Sequence, residues 1–149
     1  SAKFQAKVLD VLKERKKVEE TNFIRLGGSQ KRGDLASADL LALPWIVREH
    51  GSGTRQTFDR AMHGILTDLH IAMELQHTEA IKRAVEAGLG VGCLSQVCLV
   101  EAFKRGSLVP LPVPGRDFRR EWFLITHREK FHSAGLRAWL ALCTSQWAT

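Results

Sequence analysis

Hydrophobic positions recur along this chain in two alternating periods, one helical and one extended. Phe4, Val8, Val11 and Val18 fall at i, i+4, i+7 and i+14, and Leu12 widens the stripe, so an amphipathic helix is predicted over residues 3–20. Residues 22–26 suit a short strand, which Gly27-Gly28-Ser29 breaks. Residues 34–43 predict a short helix ended by Pro44. From Trp45 the pattern becomes regular. Strands are predicted over 45–48, 69–75, 90–94, 108–111 and 122–126. Helices are predicted over 54–66, from Thr78 to a stop at Gly88, over 96–105 with a stop at Gly106, and after a Ser133 cap. Leu136, Trp139, Leu140, Cys143 and Trp147 form the apolar stripe of that last helix.

Strands alternating with helices predict an α/β fold with mainly parallel pairing and flanking helices. Two of the strand-to-helix turns share a design. The first, Gly51-Ser52-Gly53-Thr54, follows Trp45–Arg48; the second, Gln76-His77-Thr78-Glu79, follows the strand ending at Leu75. Each places a hydroxyl at a helix start, where backbone N–H groups lack intrahelical partners and the dipole end is positive. A carboxylate, phosphate or sulfate suits such a turn. If the strands are parallel, both turns lie at one sheet edge and can face one cleft. The alternative for either turn alone is that Ser52, Thr54 or Thr78 simply caps its helix.

Catalytic chemistry is poorly supported. Gly51-Ser52-Gly53 lacks the Gly-x-Ser-x-Gly spacing of a nucleophile elbow. His50 stands two residues from Ser52 with no orienting carboxylate in the pattern, and the remaining histidines have no metal-site spacing. His77 can either donate to a bound carboxylate or serve as a polar turn residue. Gly88-x-Gly90-x-Gly92 ends a helix and enters a strand, the reverse of a dinucleotide fingerprint, so close packing and a tight turn explain it better.

Bulk properties narrow this picture. The 149 residues suffice for one domain with a core, the apolar fraction is 44%, and mean hydropathy is −0.14. No run approaches the roughly 20 apolar residues that span a bilayer, and a cytoplasmic location is expected. The net charge of +6 sits at the start of the chain. Residues 1–33 hold nine Lys/Arg against four Asp/Glu, and the rest is nearly balanced. A basic solvated face therefore explains it without a nucleic-acid surface. Cys93, Cys98 and Cys143 are odd in number and lie in apolar contexts, which suits reduced, buried thiols better than disulfides or metal ligands.

Four stretches together resemble the effector-binding domain of LysR-type transcriptional regulators. They are Asp39-Leu-Leu-Ala-Leu-Pro-Trp-Ile-Val, Arg48-Glu-His-Gly-Ser-Gly-Thr-Arg-Gln-Thr-Phe, Thr78-Glu-Ala-Ile-Lys-Arg-Ala-Val-Glu-Ala-Gly-Leu-Gly-Val and Gly106-Ser-Leu-Val-Pro-Leu. The resemblance runs from about residue 31 to 142. It implies a two-lobed fold like that of periplasmic binding proteins, with a small, often anionic metabolite held between the lobes. By position, Ser52, Gly53 and Thr54 look like the first ligand-contacting turn, Thr78 with His77 like the second, and Ser95 like a further contact.

The resemblance also implies departures. Most of the first lobe is expected to be missing, leaving a basic N-terminal helix and hinge-like segment over 1–33. An effector-binding, periplasmic-binding-protein-like lobe with a C-terminal return strand and helix is expected over 34–149. DNA would be read only through a helix-turn-helix domain absent from this chain. The expected molecule is a ligand sensor without enzymatic turnover, metal or cofactor. Its expected partners are a small anionic effector and further copies of itself in a homo-oligomer. The alternative is an oligomerisation module of the same fold that has lost its ligand site.

Overall fold

The computed structural model of the chain describes residues 11–27, 37–127 and 131–146. The chain divides into two compact units, Ser1–Val18 with Glu121–Thr149, and Glu19–Arg120. All the candidate ligand contacts fall in the second. The elements run β1 (Val11–Leu26), which enters that unit at Glu19, then α1 (Ser37–Leu41), β2 (Trp45–Arg48), α2 (Gly53–Ala61), β3 (Ile71–Leu75), α3 (Thr78–Glu86), β4 (Val91–Ser95), α4 (Val100–Arg105) and β5 (Leu108–Pro110). The chain then continues through β6 (Arg119–His127) and α5 (Ala134–Gln146).

The sheet order is β3-β2-β4-β1-β5, and β6 also pairs with β1. The strand β2 is parallel to β3, with Val47 opposite Glu74 and Arg48 opposite Leu75. It is also parallel to β4, with Trp45 opposite Val91 and Ile46 opposite Gly92. The α/β fold with a parallel centre therefore stands.

Alternation along these strands divides the core in two. Phe23, Trp45, Val47, Val91 and Cys93 pack on one face with Phe58 and Met62 of α2 and its following turn. Ile24, Ile46 and Leu94 pack on the other with Ile81 and Val85 of α3 and Ala102 of α4. A strand covered on both faces reads as a continuous apolar run, and Trp45-Ile46-Val47 is one. Gly92 sits under α3, where an added Cβ would come within 3.1 Å of Ile81 and 3.2 Å of Val85. Close packing is thus its role.

The predicted helix over residues 3–20 is corrected from residue 11 onward, because Val11–Leu26 is a strand; residues 3–10 lie outside the described residues. β1 pairs antiparallel with β4 on one side and β5 on the other. It thereby buries Phe23 and Ile24 on opposite faces. The strand seated between β4 and β5 at residues 21–26 runs back through residues 11–20, with β6 as a further partner, so tertiary pairing overrides the local helical period.

Smaller differences have local causes. The helix predicted over 54–66 stops at Ala61, and Gly64 follows with a φ of +88°. The helix predicted over 96–105 divides into a tight turn at Gln96–Cys98 and α4, which Gly106 ends in the left-handed conformation expected of it. β3 is the edge strand, so Met73 is exposed and only Ile71 and Leu75 are half-buried. After β5, Leu111 and Val113 are buried while Pro112 and Pro114 face outward, an extended segment consistent with the prolines.

In the other unit, Ser133 caps α5 by accepting from the Leu136 amide at 3.2 Å. Of the predicted stripe, Leu140 is buried, Leu136 and Cys143 are half-buried, and Trp139 is exposed; Trp147 lies outside the described residues.

Burial pushes the Cys93 thiol far above its ordinary pKa, whereas Cys98 is exposed. Because the thiolate is the reactive form, iodoacetamide at mildly alkaline pH should modify Cys98 and spare Cys93. Peptide mass mapping checks this, and equal labelling of the two in the folded chain would contradict the packing around β4.

Candidate functional site

The parallel strands β2, β3 and β4 all release the chain at the same sheet edge. The turn after β2 carries Ser52–Thr54, the turn after β3 carries His77 and Thr78, and β4 itself ends on Ser95. All six predicted residues therefore belong to one edge, where open α/β sheets hold their ligands.

Each turn is built for its helix start. Gly51 has a φ of +93°, which a residue with a Cβ adopts only under strain. Ser52 is the N-cap of α2, and its hydroxyl accepts from the Arg55 amide at 3.5 Å. Gly53 opens the helix without a side chain, and a Cβ there would lie 3.5 Å from Nη1 of Arg120. Thr54 is buried, and its hydroxyl accepts from Arg120 Nη1 at 3.3 Å.

The second turn differs from expectation in one detail. His77, not Thr78, occupies the N-cap position of α3; it is exposed, and its side chain makes no capping bond. Thr78 is the first helical residue and is half-buried, its hydroxyl accepting from Arg48 Nη1 at 3.3 Å. Ser95 is buried at the end of β4 and makes no side-chain capping bond to the turn that follows.

Three arginines organise this edge. Arg55 is buried, with Nε on Asp59 at 2.8 Å, and Nη1 on Glu74 at 2.9 Å and on the Arg48 carbonyl at 3.0 Å. Its Nη2 lies 3.3 Å from His50 Nε2; guanidinium has no acceptor, so that imidazole nitrogen accepts. Arg55 thus ties the end of β2 to α2 and to the edge strand. Arg48 links the two turns, since its carbonyl is held by Arg55 and its side chain reaches Thr78. That side chain also forms a bidentate pair with Glu49, Nε to Oε2 at 2.7 Å and Nη2 to Oε1 at 2.9 Å. This contact raises the Arg48 pKa and holds the Glu49 carboxyl below its ordinary range. Arg120 supplies the third cation, beside Gly53 and Thr54.

Arg48 and Arg120 were not among the residues singled out from the sequence. The signal for Arg48 was a charged residue closing an otherwise buried strand; Arg120 carried none, because its partner is 66 residues away. The hydroxyl of Ser52 acts as a helix cap, and His50 meets Arg55. Among the described residues no group of His, Cys, Asp or Glu could hold a metal ion. A crevice of about 410 Å³ opens elsewhere, at the C-terminal end of α2, lined by Arg60, His63, Arg116 and Asp117 among others. Arg116 there caps the helix by donating to the Ala61 carbonyl at 2.6 Å. The crevice meets the negative end of the helix whose start carries the Ser52–Thr54 turn, whereas the shared edge gathers hydroxyls and helix N-termini.

Residues 29–148 match the family model described as the LysR substrate binding domain. The chain belongs to that family. As a LysR substrate-binding domain it is 41% identical over 112 residues to the HTH-type transcriptional regulator YeiE of Escherichia coli (strain K12). The match covers 75% of this chain and 38% of that protein. It is 36% identical over 101 residues to the HTH-type transcriptional regulator CbbR of Rhodospirillum rubrum, covering 66% of this chain and 33% of that one. The chain thus spans well under half the length of these relatives. Among solved structures, the regulatory domain of Synechocystis PCC6803 CcmR in complex with 2-PG superposes with a TM-score of 0.79 at 25% identity. That match covers 91% of this chain and 66% of that one. The effector binding domain of QuiR in complex with shikimate has the same fold, with a TM-score of 0.77 at 13% identity over 94% of this chain and 66% of that one. No helix among the described residues is long and apolar enough to cross a membrane.

Proposed function

We propose that this chain is the effector-sensing part of a transcriptional regulator and that it binds a small carboxylate or phosphate anion at the edge formed by the ends of β2, β3 and β4. The observation that carries this reading is the meeting of two hydroxyl-bearing helix starts at one strand-end edge: the Arg48 side chain bonds the Thr78 hydroxyl, and the Arg48 carbonyl is held by Arg55, the residue after Thr54. Cations beside helix N-termini favour an anion in both charge and donor geometry. CcmR, of the same fold, is a regulatory domain solved with 2-PG, which supports an acidic ligand for this chain as well. In this reading the ligand acts by favouring one arrangement of the regulator over another, and catalysis plays no part.

The test is a calorimetric titration of the 149-residue chain with 2-PG and with inorganic phosphate. Saturable binding is expected, and Thr54→Val and Thr78→Ala should each weaken it about tenfold or more, since hydrogen bonds to a charged group contribute roughly 1.5–3 kcal/mol. At about one hundred times the dissociation constant the ligand should stabilise the fold by roughly 2.7 kcal/mol. Neither anion binding, or binding indifferent to both substitutions, would place the ligand site elsewhere.

A further inference from the structure

Within the proposed anion site, on which this inference rests, we propose that Glu49 is a built-in occupant. Its carboxylate fills, on Arg48, the bidentate position that the effector's own carboxylate or phosphate takes, so that the effector binds by displacing it.

The geometry favours exchange over a purely structural pair. Neighbouring side chains in an extended strand point to opposite faces, but β2 ends at Arg48, and the turn that begins at Glu49 lets the two meet. The fork of Arg48 is filled side-on, Nε and Nη2 each on one carboxylate oxygen, while Nη1 addresses the Thr78 hydroxyl. This is the arrangement in which a guanidinium recognises a free carboxylate or phosphate. The position lies between two turns: Arg48 closes β2, and the Thr78 hydroxyl that its Nη1 addresses belongs to the start of α3.

The pair is also cheap to break. Both side chains retain contact with water, at 20% and 30% relative exposure, and ion pairs of that kind stabilise weakly. A ligand that brings a second negative charge, and that meets the Thr78 hydroxyl and the amides at the start of α3, gains contacts that Glu49 lacks. Tethering the competitor beside the fork gives it a high effective concentration, which weakens every anion and leaves the better-matched ones bound. Glu49 thereby sets the threshold and the selectivity of the site.

Four variants decide the matter in the same calorimetric titration, with 2-PG and inorganic phosphate as probes. Glu49→Gln removes the competing charge and should tighten binding roughly two- to fivefold, the range expected for an exposed ion pair. Glu49→Asp keeps the charge but is one methylene too short to hold the fork in the same way, and should tighten binding similarly. Arg48→Gln should weaken binding, and in that background Glu49→Gln should have no further effect, a coupling that a double-mutant cycle measures. Should Glu49→Gln leave affinity unchanged or lower it, the inference fails while the anion site stands. A gain from Gln but not from Asp, or a gain that persists without Arg48, would reduce Glu49 to general charge repulsion and overturns it too. No binding by the unaltered chain or by Glu49→Gln overturns both readings together.

Discussion

Trp45→Ala is expected to destabilise the Glu19–Arg120 unit by about 4 kcal/mol, near the middle of the range for removing a buried aromatic side chain. Trp45 is fully buried at the start of β2, and its ring centroid lies 4.8 Å from that of Phe23 and 5.3 Å from that of Phe58, both in edge-on geometry. It is therefore the point where β1, β2 and α2 meet. Its indole N–H also donates to the Leu40 carbonyl at 2.9 Å, fastening α1 to the sheet. The substitution removes the ring contacts and leaves that buried carbonyl to the more distant Leu43 amide, at 3.4 Å. Urea denaturation followed by circular dichroism measures the loss. Trp45→Phe separates the two contributions: it keeps most of the packing and should cost about 1 kcal/mol, the net contribution of one hydrogen bond. If the Phe and Ala variants were equally destabilised, the hydrogen bond, not the aromatic cluster, would be the dominant contribution.

Arg55→Met is expected to cost about 2–3 kcal/mol and to abolish anion binding that depends on the first turn. Breaking a fully buried ion pair costs roughly 3–5 kcal/mol. Here Arg55 is buried, but its partners Asp59 and Glu74 keep 30% and 44% side-chain exposure, so water compensates them in part. Met fills the space of the aliphatic stem and isolates the charge. What it removes is the guanidinium that joins the Arg48 carbonyl, Asp59 and Glu74. Arg55→Lys keeps the charge but reaches one partner at a time, so it should fall between Met and the unaltered chain in both stability and affinity. A Met variant with unchanged anion affinity would show that the Ser52–Thr54 turn holds its shape without this brace.

Much of this architecture was legible because its signals are local. The run Trp45-Ile46-Val47, the glycines bracketing Ser52 and the stop at Gly88 each announce themselves within a few residues. The order strand–turn–helix, twice over, suffices to place Ser52, Thr54 and Thr78 at one edge once pairing is parallel. What stayed hidden depends on contacts between distant segments. Residues 11–20 have a helical period, yet that stretch is a strand, because it continues β1, which β6 pairs and whose residues 21–26 are seated between β4 and β5. Arg120 meets Thr54 only through folding. Arg48 was visible as a residue, but its bond to Thr78 was not, since the period of a strand says nothing about what its last side chain reaches.

The antiparallel seat of β1 has a consequence for synthesis on the ribosome. Leu26 pairs with Leu108, and the entire parallel layer lies between them in sequence. A growing chain therefore carries Phe23 and Ile24 without their strand partners Cys93 and Gly92 until β4 has been made, and long-range pairing of this kind closes slowly. The sheet closes late, when β1 takes its seat between β4 and β5.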